Sequence, residues 1–260
     1  MVTENAPDSF YRTKLGLGIW EHRGKVAATG VGHSPTARRW DGKAETSVGA
    51  FAIDSIRKAI ADSGIAPSEI DGLVLDATTT TGAHWEEGAP IPMDVVNSWN
   101  ATDDPLDGIA KLSAEWIIKN MPELTNVKFT MYGPGCMSRA LVVAAQAVGD
   151  GLTNNCIVLK GWHNLEGRYY QGGANALDTR PGTAALSTLW GTPASYGTAL
   201  QFAAYCTKYG KSHDQMAPFV VQERANGLNF PEGFWAQHRP EPLTIEDYLA
   251  ARWIAKPANL

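Results

Sequence analysis

The sequence has little positive charge and no cluster of it. Its 260 residues include 22 Lys and Arg against 27 Asp and Glu, which gives a net charge of −5, and no Lys/Arg-rich run occurs. Because nucleic acids and anionic membranes are bound mainly through clustered basic side chains, neither is expected as a partner. The sequence also lacks an apolar run of about 18 residues, so it predicts no membrane span.

Cysteine is scarce as well. The chain has three, Cys136, Cys156 and Cys206, and they lie far apart. An odd number at such spacing excludes a disulfide framework and provides no zinc-binding motif, so no metal site is predicted. Residues 1–8 are polar and lack the apolar core of a signal peptide. Together these features favour a cytoplasmic protein.

What the sequence does contain is an alternation of apolar runs and helical patterns. Apolar runs at residues 25–32, 72–75, 127–132 and 155–159 predict short buried strands. Helical spacing predicts helices over 48–64 and 104–120 and a third after Cys136. This order is typical of an α/β fold with a parallel or mixed sheet, which binds ligands beyond the carboxyl ends of its strands.

A glycine pair follows the first apolar run. Gly30 and Gly32 suggest a dinucleotide-binding fingerprint, but Pro35 stands where the third glycine belongs and no helix follows at once. The motif is therefore too weak to predict a nucleotide site.

The turn that contains Cys136 is the most informative stretch of the chain. Gly133-Pro134-Gly135 ends a strand, and Cys136 stands where the next helix begins. Unpaired backbone N–H groups and the helix dipole favour a thiolate at such a position, which makes Cys136 a candidate nucleophile. The alternative is a structural cysteine that fills space. The helix that follows is apolar almost all round, which predicts that it is buried.

The C-terminal third changes character. Residues 165–195 are rich in Gly, Pro, Thr and aromatic side chains and predict a long loop, which in a compact domain is usually functional or disordered. Helices are predicted up to Tyr209-Gly210, around residues 216–223, and from Leu243 to Lys256-Pro257. Thr244 and Asp247 form an imperfect capping box at the start of the last one.

Taken in this order, the motifs resemble the thiolase superfamily, in particular its lipid-transfer-protein-like branch. Residues 26–35, 48–64 and 70–74 resemble its opening β-α-β unit, and Gly135-Cys136-Met137-Ser138 resembles its nucleophile turn. Residues 205–210, 215–224 and 243–257 resemble its loop-domain sequence.

The resemblance implies a thiolase-like α/β fold with a mixed, mainly parallel sheet, buried helices and an inserted loop domain. The implied domains are an N-terminal extension (1–24), an α/β core (25–164), a loop domain (165–243) and a return helix (244–260) toward a C-terminal half. The family's histidine motifs and second, acid–base cysteine belong to that half, and neither Cys156 nor Cys206 matches this cysteine. Because the sequence ends at Leu260, at about the point where the last strand of the family's first half should begin, we expect the chain to be an incomplete thiolase, either truncated or one half of a split enzyme.

The function implied is that of an acyl-CoA thiolase or C-acyltransferase, which forms or cleaves a carbon–carbon bond next to a CoA thioester through Cys136. Coenzyme A is then a co-substrate, and no tightly bound cofactor is expected. One alternative is a retro-aldolase of a β-hydroxyacyl-CoA, for example one with a steroid side chain. Another is a non-catalytic subunit that binds acyl-CoA or serves as a scaffold. The resemblance also implies a homodimer or higher oligomer, and it allows a small zinc-containing OB-fold partner of the DUF35 type.

Around the nucleophile, Gly133 and Gly135 are expected to shape the turn, and the backbone N–H of Met137 or Ser138 to bind an oxyanion.

Further candidates lie in and near the long loop. His163 is expected near the pocket rim and Arg168 against the CoA phosphates. Tyr169, Tyr170 and Tyr196 are expected to line an acyl channel or donate a proton. The alternatives are a hydrogen-bonded structural histidine, a solvated arginine and aromatic packing.

Overall fold

The computed structural model describes residues 20–37, 40–76, 92–109, 111–133, 137–161 and 194–251, without the side chains of 194–198. The chain divides into two compact units. The first comprises Met1–Ser34 and Arg39–Glu166, and the second comprises Pro35–Arg38 and Gly167–Leu260. The domain boundaries given above stay predictions.

The described part of the first unit is a parallel sheet with helices on both faces. Its strands are β1 (Gly72–Asp76), β2 (Phe129–Tyr132) and β3 (Cys156–Lys160), and its helices are α1 (Val48–Ser63), α2 (Met93–Val96), α3 (Ala114–Asn120) and α4 (Met137–Gly149), with 3₁₀ turns at Ala44–Thr46 and Pro67–Glu69. The strand order is β2-β1-β3 and both pairings are parallel. The predicted parallel α/β sheet is therefore confirmed.

Side chains of β1 alternate between two apolar layers, as the pleat of a strand requires. Leu73 and Leu75 are fully buried in the larger core cluster, together with Ile56 of α1 and Trp116 of α3. Val74 points to the opposite face, where it lies in a smaller cluster with residues of α4. The sheet thus separates α1 and α3 on one side from α4 on the other.

Helix α1 begins and ends as its sequence predicts. The side chain of Ser47 accepts a hydrogen bond from the backbone N–H of Ala50, which caps the helix at its N-terminus. Gly64 ends the helix in the left-handed conformation, with φ of 69°.

The strand predicted at residues 25–32 is wrong. This segment contains no strand and runs along α1 instead. A Cβ atom on Gly30 would lie 2.3 Å from the carbonyl oxygen of Ala59, and one on Gly32 would lie 2.1 Å from that of Ser55. The two glycines therefore permit contact between this segment and the backbone of α1, which is a packing role and not that of a nucleotide-binding turn.

The helix predicted over residues 104–120 is too long, because α3 starts only after Ser113. The Asp107 carboxylate accepts hydrogen bonds from both the backbone N–H and the hydroxyl of Ser113, and this folds the preceding segment into a loop. Gly108 adopts a left-handed φ of 83° in that loop, which is incompatible with a continuous helix.

Helix α4 is present as predicted, but it is buried on one side only. Ala140, Ala144 and Ala147 are its buried residues. Leu141 is 49% exposed and Val142 is 68% exposed. The expectation of a helix buried all round is therefore wrong for the part of the chain that the structure describes, because the sheet covers only the alanine face.

The described part of the second unit consists of α5 (Ala194–Tyr209), α6 (Ala217–Leu228), α7 (Phe234–His238) and α8 (Ile245–Ala250), with a 3₁₀ turn at His213–Met216. The predicted cap of α8 is confirmed, since the Thr244 hydroxyl accepts from the Asp247 backbone N–H at 3.1 Å. Helix α8 ends well before Lys256-Pro257, where the sequence predicts its end, because Ala251 is extended. None of the helices among the described residues is long and apolar enough to cross a membrane.

Candidate active site at the carboxyl edge of the sheet

All three described strands end at one edge of the sheet, and α4 begins there. The Gly133 N–H, directly after β2, donates to the Leu75 carbonyl of β1 at 2.6 Å. Gly133 is buried, and a Cβ atom at this position would lie 2.7 Å from the Cβ of Ala140 in α4. Only glycine therefore fits at this point without displacing α4, and this close contact fixes the path by which the chain leaves β2.

The first turn of α4 provides N–H groups at this edge. Met137 is half-buried and Ser138 is exposed. The α-helix leaves the N–H groups of its first turn without intrahelical partners, so this end of α4 favours an anion or a developing negative charge. The oxyanion role of Met137 and Ser138 stays a prediction.

Several other candidate residues lie outside the described part of the chain. These are Gly135, Cys136, His163, Arg168, Tyr169 and Tyr170. Tyr196 lies in the first turn of α5, and its side chain is outside the described set as well. Their roles as nucleophile, turn residue or substrate contact stay predictions.

The structure adds a charged pair that sequence reasoning missed. Asp76 ends β1 and Lys160 ends β3, and the two residues are register partners. The Lys160 Nζ lies 3.3 Å from Asp76 Oδ2, and the Asp76 side chain is only 3% exposed. A charge at the last position of two otherwise apolar strands was a visible signal, but only the register shows that the two residues pair.

The opposite edge of the sheet is fixed by another carboxylate. Asp71 precedes β1 and accepts hydrogen bonds from the Asn154 N–H at 2.8 Å, from the Asn155 N–H at 2.9 Å and from the Thr153 hydroxyl. Partial burial acts to raise the pKa of Asp71, but these hydrogen bonds outweigh it and leave the pKa below its usual value. The carboxylate thereby ties the turn before β3 to β1 and helps to set the register of the two strands.

Of the two cysteines in the described residues, Cys156 is a poor nucleophile. Burial, with a smaller contribution from the negative charge of Asp71, raises the pKa of the Cys156 thiol to about 12. The thiol is therefore protonated at neutral pH. Cys206 lies half-buried in α5, in the other unit.

One group of potential metal ligands occurs among the described residues, at the C-terminal end of α4. Donor atoms of Glu21, His22 and Asp150 lie within 4.8 Å of one another. The His22 Nε2 hydrogen-bonds Asp150 Oδ1 at 2.9 Å, and Asp150 also accepts from the Gln146 side chain at 2.8 Å. These hydrogen bonds attach residues 20–24 to α4.

Comparison with solved structures identifies the fold. The chain has the thiolase-like α/β fold, since it aligns with the solved Ltp2-ChsH2(DUF35) aldolase at a TM-score of 0.60. The two chains are 20% identical, and the alignment covers 89% of this chain and 50% of the aldolase chain. The predicted resemblance to the thiolase superfamily is therefore confirmed at the level of the fold. The chain matches no protein-family model.

Sequence comparison gives more particular relatives. A steroid side-chain-cleaving aldolase of Thermomonospora curvata is 24% identical over 243 residues, which are 91% of this chain and 53% of that protein. A 17-hydroxy-3-oxo-4-pregnene-20-carboxyl-CoA lyase of Mycobacterium tuberculosis is 24% identical over 242 residues, with the same coverage of 91% and 53%. The chain therefore spans about half the length of the curated relatives it matches.

Proposed function

We propose that this chain contributes the carboxyl-edge site of a thiolase-fold lyase, which cleaves a β-hydroxyacyl-CoA with a bulky, steroid-like side chain by retro-aldol chemistry. The main support is the similarity over 91% of the chain to two relatives, one named as a steroid side-chain-cleaving aldolase and the other as a carboxyl-CoA lyase. The acyl-transfer activity that the sequence first suggested has weaker support, because neither of these relatives is named as an acyltransferase.

The chemistry requires a base and a site for negative charge. A base removes the proton from the β-hydroxyl group, and the carbon–carbon bond next to it breaks. The electron pair of that bond becomes the enolate of the thioester, which then takes up a proton, while the hydroxyl carbon becomes a ketone. No bond to sulfur forms in this sequence, so Cys136 acts in the proposal as part of the site and not as its nucleophile.

For the site of negative charge we retain the start of α4. Enolate charge develops on the thioester oxygen, and the N–H groups that open α4 at Met137 and Ser138 are suited to bind it. For the base we retain Tyr169, Tyr170 and Tyr196, since a phenol is able to exchange the hydroxyl proton. Arg168 and His163 remain candidates for contacts with CoA.

Substitution of Cys136 tests the proposal. Cys136→Ala in the complete protein is expected to leave turnover of a β-hydroxyacyl-CoA within about threefold of the wild type. Tyr169, Tyr170 and Tyr196 are each replaced by Phe, and the substitution that removes the base is expected to lower kcat by about 100-fold or more. Cys206→Ala is the matched control. Products are to be measured as released ketone and shortened acyl-CoA.

Acyl transfer is the competing function, and the turn predicted from the Gly-Pro-Gly-Cys sequence at 133–136 favours it. It requires a covalent acyl adduct on Cys136, which intact-mass measurement after incubation with acyl-CoA detects. Such an adduct, with turnover lost in Cys136→Ala, would overturn the lyase proposal. If the complete protein turns over neither substrate class yet binds acyl-CoA, a non-catalytic subunit is the better description.

We also propose a DUF35-type OB-fold protein as partner, because the solved aldolase that shares this fold is named as an Ltp2-ChsH2(DUF35) aldolase. Co-expression tests this: turnover is expected to rise when the partner is present, and the two proteins are expected to elute together. Separate elution with unchanged turnover would refute the partnership. The expected homo-oligomer is to be measured in the same runs by light scattering.

A further inference from the structure

The charged pair Asp76–Lys160 lies on the face of the sheet that α4 covers. Val74 and Val158, two residues earlier on each strand, belong to the cluster that includes Ala140 and Ala144 of α4. Because side chains two residues apart on a strand share a face, Asp76 and Lys160 point to the α4 side as well.

The pair is also level with Gly133, the residue directly after β2. Leu75 is the register partner of Tyr132, so Asp76 stands opposite Gly133 across a strand spacing of about 4.8 Å. The order along the carboxyl edge is therefore Gly133, Asp76, Lys160. Helix α4 also begins at this edge of the sheet.

Fold stability alone does not account for this pair. A buried ion pair is often no more stabilising than apolar residues of the same volume, because both ions lose hydration. The preceding positions of both strands are apolar, so apolar residues would be expected to continue here. The Lys160 side chain, moreover, is 39% exposed, whereas that of Asp76 is 3% exposed.

We propose that Asp76 holds the Lys160 ammonium at the carboxyl edge, where it binds the carbonyl oxygen of a CoA thioester, the oxygen that gains negative charge during cleavage. This inference rests on the proposed function for the identity of the ligand. Lys160 is then a substrate-binding residue and Asp76 a positioning residue. The ammonium adds a full charge to the partial charges of the α4 N-terminus.

A pair of ligands isolates the contact. The probes are an acyl-CoA thioester and the corresponding thioether, which keeps the CoA and the chain but lacks the carbonyl oxygen. Binding to the complete protein is measured by calorimetry for the wild type and for Lys160→Met, Lys160→Arg and Asp76→Asn. Lys119→Met is the matched control, because Lys119 also forms an ion pair, with Glu115 at 2.9 Å, and its side chain is 42% exposed.

For Lys160→Met we expect the Kd of the thioester to rise by about 10-fold, the usual effect of losing a hydrogen bond to a charged group, and the Kd of the thioether to stay unchanged. Lys160→Arg should restore part of the difference, and Asp76→Asn should raise the thioester Kd by about fivefold on the same grounds. Lys119→Met should leave the Kd of both ligands unchanged.

Other outcomes overturn the inference. An equal loss of affinity for both ligands in Lys160→Met would show that Lys160 contacts CoA itself. Unchanged affinity for both ligands in this variant would show that Lys160 makes no contact with either. If the wild type binds neither ligand, the acyl-CoA proposal fails first and the inference fails with it. Circular dichroism checks that each variant is folded. If Lys160→Met does not fold, Lys160→Arg decides instead. Equal affinity of that variant for the thioester and the thioether would refute the carbonyl contact.

Discussion

Replacement of Asp71 by Asn tests how the two adjacent strands are held in register. The carboxylate accepts hydrogen bonds from Thr153, from the backbone and side chain of Asn154, and from the backbone of Asn155. An amide keeps one oxygen acceptor and turns an NH₂ group toward the remaining donors. The substitution changes little in size, so its effect reports on hydrogen bonding and charge.

The expected magnitude follows from those contacts. Hydrogen bonds to a charged group contribute roughly 1.5–3 kcal/mol each. Because Asp71 is only half-buried, we use the lower end of that range and count as lost the two hydrogen bonds that Asn154 donates to Oδ2. Asp71→Asn is therefore expected to lower the free energy of unfolding by about 2–3 kcal/mol at pH 7.

The effect has a defined pH dependence. The pKa of Asp71 is lower in the folded protein than the value of about 3.9 expected in the unfolded chain. The contribution of the carboxylate is consequently present above pH 4 and is lost as the pH falls through the folded-state pKa. The difference between wild type and Asp71→Asn should shrink between pH 4 and the acid limit.

Urea unfolding of the complete protein at a series of pH values, followed by circular dichroism, measures this difference. Asp54→Asn is the control, since Asp54 pairs with Lys58 at 2.8 Å on the exposed surface of α1 and should contribute less than about 0.5 kcal/mol. A loss below about 0.5 kcal/mol for Asp71→Asn at pH 7 would refute the reasoning. So would a loss that does not change in acid.

Two further predictions concern packing and thiol reactivity. Gly32→Ala should lower the free energy of unfolding by about 1–3 kcal/mol, because its Cβ atom would meet the backbone of α1. The control, Ala28→Ser, should change the free energy of unfolding by less than about 0.5 kcal/mol. Equal effects of the two substitutions in urea unfolding would show that residues 25–32 are not packed as described. Cys156, whose pKa burial raises to about 12, should resist iodoacetamide at pH 8 in the folded protein and react after unfolding in urea. Peptide mapping measures this, and rapid alkylation of native Cys156 would contradict the burial of its thiol.

The sequence predicts those parts of the fold that depend on local pattern. Helix α1 has helical apolar spacing and a glycine stop, and the structure has both; the Ser47 cap was not predicted. The short apolar runs of β1 and β3 are strands because a sheet covered on both faces needs apolar residues at every position. Gly133, directly after β2, is recognisable because only glycine fits where β1 and α4 come close together.

Misplaced elements have a different physical origin. Residues 25–32 have the composition of a strand, but contact with α1 replaces strand pairing, and composition does not distinguish these two partners. The residues before α3 have helical spacing, but the hydrogen bonds of Asp107 to Ser113 stabilise a loop in competition with the helix. Both outcomes depend on contacts between residues that local spacing does not reveal.

The same distinction applies to the candidate site: its location follows from local sequence pattern, whereas its charged pair depends on strand register. That a ligand should bind near residues 133–138 follows from the strand–turn–helix pattern, because α/β sheets bind ligands at their carboxyl edge. The pairing of Asp76 with Lys160 depends on register between residues 84 positions apart in the sequence, which the structure gives and no local motif encodes. A shift of one residue in the β1–β3 register would turn Lys160 relative to Asp76 and break the pair. The hydrogen bonds of Asp71 at the other edge resist such a shift, so a carboxylate far from the site contributes to the alignment of the charges within it.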